Sequence, residues 1–337
     1  MNLLCENPQP AVRCLLDEQP EPVSTPELTG RLAVSGLAGQ AEPVEVNWRM
    51  HGPAESPVLV AMGGISADCQ VDHWWHGLYG AGRALDFTCH RILSLDWASW
   101  PDGKAFTTDQ QADVLARLLD HLAIDRVAAL IGASFGAMVG LAFAARHPGR
   151  TGRLIAISGA HRAHPMAIAR RRIQREIVQL GLDSGQPRRG LALARALALT
   201  TYRPPSLFAS RFSPLAPDQA AEQVGAYLDH SGQTFAERFD PLRYLSLSSA
   251  LDAHAVDPAS LHCRVDLVAV DSDELVPARQ LVELTNAIGP HCRLWRIRSP
   301  YGHDGFLKEP GQLNRLLGNL LGDLLDDLDK EPCDERV

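Results

Sequence analysis

Positive charge is in short supply. The 32 Lys+Arg residues stand against 40 Asp+Glu, a formal net charge of −8. No basic surplus remains to neutralise phosphates or anionic headgroups, so neither nucleic acid nor a membrane surface is an expected partner. Lysine is nearly missing, with Lys104, Lys308 and Lys330 alone, and that imbalance toward arginine supports no functional inference. Paired cysteines are lacking too. Cys5, Cys14, Cys69, Cys89, Cys263, Cys292 and Cys333 are odd in number and scattered, without a CxxC pair. That argues against a disulfide framework or a zinc ribbon and is consistent with reduced thiols in the cytoplasm. The stretch Met1–Pro8 has neither a basic n-region nor a sustained apolar run, so no signal peptide is expected. One uncharged run, Val127 to Ala145, reaches about the length that spans a bilayer. Gly132, Gly136 and Gly140 around Ser134 divide it instead into a buried strand, a tight turn and a buried helix.

What is present is ordinary for a globular protein: 45% hydrophobic and 21% charged residues, with 27 Gly and 23 Pro. At roughly 150 residues per domain, 337 residues suggest two domains or one large α/β domain carrying an insertion. Residues 1–30 are rich in Pro, Glu and Gln and read as a flexible N-terminal arm. Beyond them strand and helix signals alternate. Strands are expected at Val44–Met50, Pro57–Met62, Arg91–Asp96, Arg126–Ile131 and Arg153–Ser158, with helices at Asp109–Leu122 and Gly136–Arg146. Such alternation implies a mostly parallel sheet covered on both faces.

From residue 160 to 255 the alternation stops and helical pattern dominates, at Ile168–Leu180, Leu191–Leu199, Ala220–Tyr227 and Tyr244–Leu251. A block of this kind inserted in an α/β domain reads as a helical cap over the carboxyl ends of the strands. The sheet resumes with Val265–Val270 and Arg293–Arg298, and a helix over Gln312–Asp327 closes the chain. The expected organisation is a core of residues 31–159 and 256–330 with the cap between its halves.

Gly132-Ala133-Ser134-Phe135-Gly136 is a G-x-S-x-G elbow. The chemistry needs glycines on both sides because the serine sits in a strained strand-to-helix turn that leaves no room for larger neighbours. The bland alternative is a glycine-rich packing turn, but a β-rich run before it and an Ala/Leu/Val helix after it supply the context of a nucleophile. A serine nucleophile requires a base and an orienting acid, which follow such an elbow in the order acid, then histidine. Of 13 histidines, His303 directly follows the last strand in Ser299-Pro300-Tyr301-Gly302-His303-Asp304, where its ring can hang over the strand ends; His161 and His164 are the weaker candidates. The acid should leave the end of the preceding strand, where Asp271-Ser272-Asp273-Glu274 offers both Asp271 and Asp273, or caps for the helix starting near Pro277. The oxyanion hole should combine the backbone N–H of Phe135 with one from the Gly64-Ile65 loop, Ile65 being the choice.

The same residues resemble one family. Gly132 to Met138, Thr201-Tyr202-Arg203 with Phe208 and Arg211-Phe212, Ala226-Tyr227-Leu228-Asp229 with Phe235 and Arg238-Phe239-Asp240, Tyr244-Leu245, Ser272 to Pro277 and Tyr301 to Leu307 are similar to the homoserine O-acyltransferases of the α/β-hydrolase fold. Trp74-Trp75 and Gly80 to Asp86 match as well, so the resemblance runs from about residue 55 to 310. It implies that Asp273, in the S-D-x-L-x-P pattern, is the triad acid beside Ser134 and His303, and that Arg203 and Asp304 grip the amino-acid substrate. It further implies acyl-CoA as co-substrate, L-homoserine as acceptor in methionine biosynthesis, no metal or redox cofactor, and a homodimer. The departures are Trp97 to Gly103, where the family usually has a Gly/Cys/Ser-rich loop, and His161 to His164; both could border the acyl pocket. Arg162 there would suit a second carboxylate, which leans the reading to succinyl-CoA over acetyl-CoA. L-serine as acceptor, a carboxylesterase or thioesterase with the same triad, and an inactive binding module are the alternatives.

Overall fold

The computed structural model describes residues 25–37 and 43–328. Residues 1–24 of the expected arm lie outside the described residues, and from Glu27 the chain is already strand, so the arm as drawn runs too far. Eight strands form one sheet: β1 (Glu27–Val34), β2 (Val44–His51), β3 (Val58–Met62), β4 (Arg91–Leu95), β5 (Val127–Ala133), β6 (Thr151–Ile157), β7 (Arg264–Val270) and β8 (Cys292–Ile297). Their order is β1-β2-β4-β3-β5-β6-β7-β8, with β2 antiparallel to β1 and β4 and the rest parallel.

Alternation explains how this sheet is covered. In β3, Val60 and Met62 enter one apolar cluster and Leu59 and Ala61 the other. The first cluster includes α2 (Thr108–His121), α3 (Phe135–Arg146) and α9 (Ala278–Ile288). The second includes Trp75 after the short α1 (Val71–Trp74), and α11 (Pro310–Leu328), which follows a single turn, α10 (Gly305–Lys308).

The cap holds α4 (Pro165–Asp183), α5 (Pro187–Tyr202), α6 (Pro205–Phe212), α7 (Pro217–Arg238) and α8 (Pro241–Ala253). Every one begins on proline, whose fixed φ and missing N–H suit the first helical position. Its helices meet closely: a Cβ on Gly181 of α4 would lie 2.7 Å from the Cα of Gly190 on α5. Val178, Leu191, Ala194, Phe235 and Tyr244 make a separate small core there.

Toward the β8 edge of the sheet a buried ion pair joins β6 to β7. Arg153 on β6 donates from Nε to Asp266 Oδ2 on β7 at 2.7 Å, and Trp295 on β8 donates to Oδ1 at 2.8 Å. Arg153 also donates to the carbonyl of Leu320 on α11, so the pair ties three strands to a helix. Removing one partner of such a pair leaves a buried charge uncompensated, at about 3–5 kcal/mol. Arg153→Met should therefore lower the unfolding free energy in urea by about that amount; a loss under about 1 kcal/mol would show that the pair is not a structural tie.

Candidate active site

The turn between β5 and α3 is shaped by what cannot fit around it. A Cβ on Gly132 would lie 2.3 Å from the Gly136 carbonyl oxygen, and one on Gly136 would lie 2.4 Å from that of Met62. Ser134 itself has φ 54° and ψ −111°, left-handed backbone that a residue with a Cβ adopts only where its surroundings force it. Those surroundings are the Ser134 N–H bond to Ile157 O at 2.8 Å and the Gly136 N–H bond to Gly63 O at 2.9 Å. The hydroxyl thereby stands at the N-terminus of α3, where first-turn N–H groups lack intrahelical acceptors and favour negative charge. Phe135 heads that helix, and Ile65 lines the same cavity as Ser134.

His303 sits in a short 3₁₀ turn, Gly302–Asp304, after β8. Its Nε2 lies 2.7 Å from Ser134 Oγ and its Nδ1 lies 2.7 Å from Asp273 Oδ2. The carboxylate can only accept, which fixes the ring proton on Nδ1 and leaves Nε2 to accept from the serine hydroxyl. The Asp273 side chain is fully buried, and its Oδ1 takes the N–H groups of Leu275 and Val276 at 2.9 and 3.0 Å. Asp271 points elsewhere, 3.9 Å from Arg296 and substantially exposed. His303, and not His161 or His164, bonds Ser134; His164 caps α4 and meets Arg279.

Ser272 has a part that the sequence did not suggest. Its hydroxyl donates to Ser299 O and accepts from Gly302 N at 3.0 Å, pinning the acid-bearing turn to the histidine-bearing one. Gly302 has φ 61°, and a Cβ there would meet the carbonyl of Tyr202 at 2.4 Å. The end of α5 thus rests directly on the histidine turn, with the Tyr202 ring 5.9 Å from the imidazole and Phe306 edge-on at 5.7 Å.

Ser134 and His303 open into a cavity of about 80 Å³ between core and cap. Asp304 lines it, whereas Arg203 stands behind, its Nε 3.1 Å from Asp304 Oδ2 and its guanidinium also bonded to the Tyr227 hydroxyl. The two residues expected to grip a zwitterion are thus paired with each other. Two expectations need correction. Arg162 is exposed and does not line the cavity; its carbonyl accepts from Gln280. The Trp97 to Gly103 segment does not line the cavity either, because Trp97 turns under the glycine loop, bonding Gly64 O at 2.8 Å and meeting Phe135 edge-on. Arg170, Arg171 and Arg195 of the cap do line it. Sequence reading missed them, for at helical spacing an inward arginine looks like an outward one.

A family model described as the alpha/beta hydrolase fold matches residues 72–310, and the chain belongs to that fold family. Within it, the chain is 40% identical over 315 residues to a homoserine O-succinyltransferase of Xanthomonas campestris pv. campestris, covering 88% of this chain and 84% of that one. It is 34% identical over 281 residues to a homoserine O-acetyltransferase of Thermus thermophilus, covering 74% and 72%. The solved structure of homoserine O-acetyltransferase from Bacillus anthracis superposes with a TM-score of 0.79 at 15% identity, over 88% of this chain and 97% of that one. The protein is an enzyme of the homoserine O-acyltransferase family. No helix among the described residues is long and apolar enough to cross a membrane.

The electrostatics of His303 can be checked directly. Burial disfavours its charged form, but the charge and hydrogen bond of Asp273, with Asp304 behind, outweigh both burial and a smaller opposing push from Arg171. The result is a proton affinity above the ordinary imidazole value of 6.5. An NMR titration should find the ring still protonated above that pH, and Asp304→Asn should move its midpoint down. An unchanged or higher midpoint in the variant would contradict this balance.

Proposed function

We propose that the protein transfers an acyl group from an acyl-CoA thioester to the hydroxyl of L-homoserine, with succinyl-CoA the favoured donor over acetyl-CoA. The observation that carries the reading is the unbroken chain from Ser134 Oγ through His303 to buried Asp273, at 2.7 Å for both links, opening into the cap's cavity. Relatives named for both donors support the acceptor, and the 40% identity to an O-succinyltransferase supports the donor.

In this mechanism Ser134 Oγ attacks the thioester carbonyl as its proton passes to His303 Nε2, and the negative oxygen that forms is met by the N–H groups of Phe135 and Ile65. The carbon–sulfur bond breaks and CoA leaves as the thiol, taking the proton from His303. The homoserine hydroxyl then attacks the acyl-enzyme while His303 accepts its proton, and returning that proton to Ser134 releases the ester. The side chains and the thioester suffice for each step, so the reading calls on no metal or redox group. Arg203 receives the acceptor's carboxylate and Asp304 its ammonium, splitting the pair they form with each other.

The test is thiol release measured for acetyl-CoA and succinyl-CoA, each with homoserine and with serine. Turnover should require homoserine, and Ser134→Ala should lower it by about 10⁴-fold or more. Hydrolysis at an equal rate without an amino acid would favour an esterase, and a variant retaining a tenth of the rate would remove Ser134 from the mechanism.

Arg203→Ala should raise the KM for homoserine while the initial burst of CoA release from the acyl donor persists. Loss of that burst together with turnover would mean that Arg203 only fastens the cap to the core.

A further inference from the structure

The Trp97 to Gly103 segment, which differs from the family's usual loop, stays out of the Ser134 cavity and lines a second one. Glu45 at the start of β2 and Arg243 of α8 line it too, so this pocket of about 390 Å³ spans core and cap. That volume suits a small molecule. The core wall is held in place. Gln111 of α2 bonds both the N–H and the carbonyl of Ala98, at 3.1 and 2.7 Å, and Trp100 packs on Phe106 with ring centroids 4.8 Å apart. Gly103, at φ 75°, lies so close to α8 that a Cβ there would stand 3.4 Å from Leu242.

Two polar side chains of this pocket have nothing to bond. Among the described residues, neither the Arg243 guanidinium nor the Ser99 hydroxyl has a hydrogen-bond partner. The guanidinium is half-buried over the Phe239 ring, 5.7 Å from its centroid. Burial lowers its proton affinity, although Asp96, Asp240 and Asp68 attract the charge from further off. A half-buried cation with no anion in contact is what a carboxylate satisfies. A bare anion would fit badly, however, because Glu45 and Asp102 stand on the same pocket. These two are paired with Arg31 and Lys104 through exposed side chains, so the pairs are worth little and can be exchanged. The lining therefore matches one molecule that carries a carboxylate, an ammonium and an apolar part, the last resting on Val44, Trp100 and Pro101.

We propose that this pocket binds an α-amino acid with an apolar side chain, at a site separate from the acceptor's, and that the bound amino acid slows turnover at Ser134. Its carboxylate is held by Arg243 of the cap and its ammonium by Glu45 or Asp102 of the core, so the ligand ties cap to core. A cap restrained in this way opens and releases product more slowly. The pocket's walls also reach the reaction centre. Tyr244, next to Arg243 in α8, lines the Ser134 cavity and bonds Gln174 at 2.9 Å. Trp97 bonds the carbonyl of Gly64 at 2.8 Å, in the loop whose Ile65 N–H is assigned to the oxyanion.

The test titrates each apolar proteinogenic L-amino acid into the wild type by calorimetry, then the des-amino and des-carboxy analogues of the tightest. At least one amino acid should bind, and each analogue should bind about tenfold more weakly or worse. Arg243→Gln should weaken binding by about tenfold or more while thiol release without the amino acid stays as in the wild type. Should that variant disturb α8, Ser99→Ala and Asp102→Asn decide, and each must weaken binding. At saturating homoserine the ligand should lower kcat by about fivefold in the wild type and leave Arg243→Gln unaffected. Inhibition that homoserine relieves would place the ligand on Arg203 and Asp304 and overturn the proposal. So would binding that ignores all three substitutions, binding that leaves kcat unchanged, or no binding by any amino acid. A wild type without acyl transfer overturns the proposed function instead, and the calorimetry still decides whether the pocket binds.

Discussion

The site depends on a backbone contact rather than a side chain. Where β5 turns into α3, the chain passes so near β3 and β6 that Gly132, Gly136 and Gly159 have no space for a Cβ, the last lying 2.4 Å from the Ala137 methyl. Ser134 is held there in left-handed backbone, at a cost on the order of 1–3 kcal/mol that the surrounding sheet must offset. Strain of this kind persists only in an over-determined setting, and the central strands, buried along nearly their whole length, provide it. The return is a hydroxyl raised above the strand ends at a helix N-terminus. From that point the other members follow by topology. β7 and β8 lie on the same side of β5, and the turns after them deliver Asp273 and His303 in sequence.

The cap and the core divide the work. The core supplies Ser134, His303 and Asp273; the cap supplies Arg170, Arg171 and Arg195 around them. Their joint is narrow: the carbonyl of Tyr202 lies against Gly302, whose N–H is held by Ser272, whose neighbour Asp273 holds the imidazole. Any shift of α5 is therefore felt at His303 within two residues. The cavity beside this joint is small, and a small, partly enclosed cavity strengthens every electrostatic interaction inside it.

How much of this was legible in the sequence depends on how local each feature is. The elbow is a five-residue pattern whose physical demands are all nearby, and the histidine follows from its place after the last strand. Asp271 and Asp273 could not be separated from composition, because what distinguishes them is three-dimensional: Asp273 meets His303 and the N–H groups of Leu275 and Val276, while Asp271 lies by Arg296. Strand β1 was hidden because it is a mostly exposed edge strand with no clean alternation. Periodicity located the cap helices but began them late, since it marks the buried face, whereas the start is set by proline at the first helical position. Helix α6, with Pro205 at its head and one buried residue, left no periodic trace. Arg162 was chosen for being in the right loop; Arg170 and Arg171, which reach the cavity, sit further along in α4, directly beside Arg172, which is exposed.

The self-pairing of Arg203 and Asp304 bears on why such a site transfers to an amino acid instead of water. Two opposite charges half-buried in a closing cap are costly apart, and in this structure each neutralises the other. Under the proposed reading, an acceptor carrying one carboxylate and one ammonium exchanges one ion pair for two, so no buried charge is left unmatched. Water, with no charge to offer, cannot take the pair's place, and it arrives without the anchoring that converts encounter into a near-attack position. Under the proposed reading, the pair keeps the acceptor position closed until a zwitterion opens it. Discrimination against hydrolysis then comes from electrostatics already compensated within the resting enzyme, with His303 serving whichever hydroxyl is held within its reach.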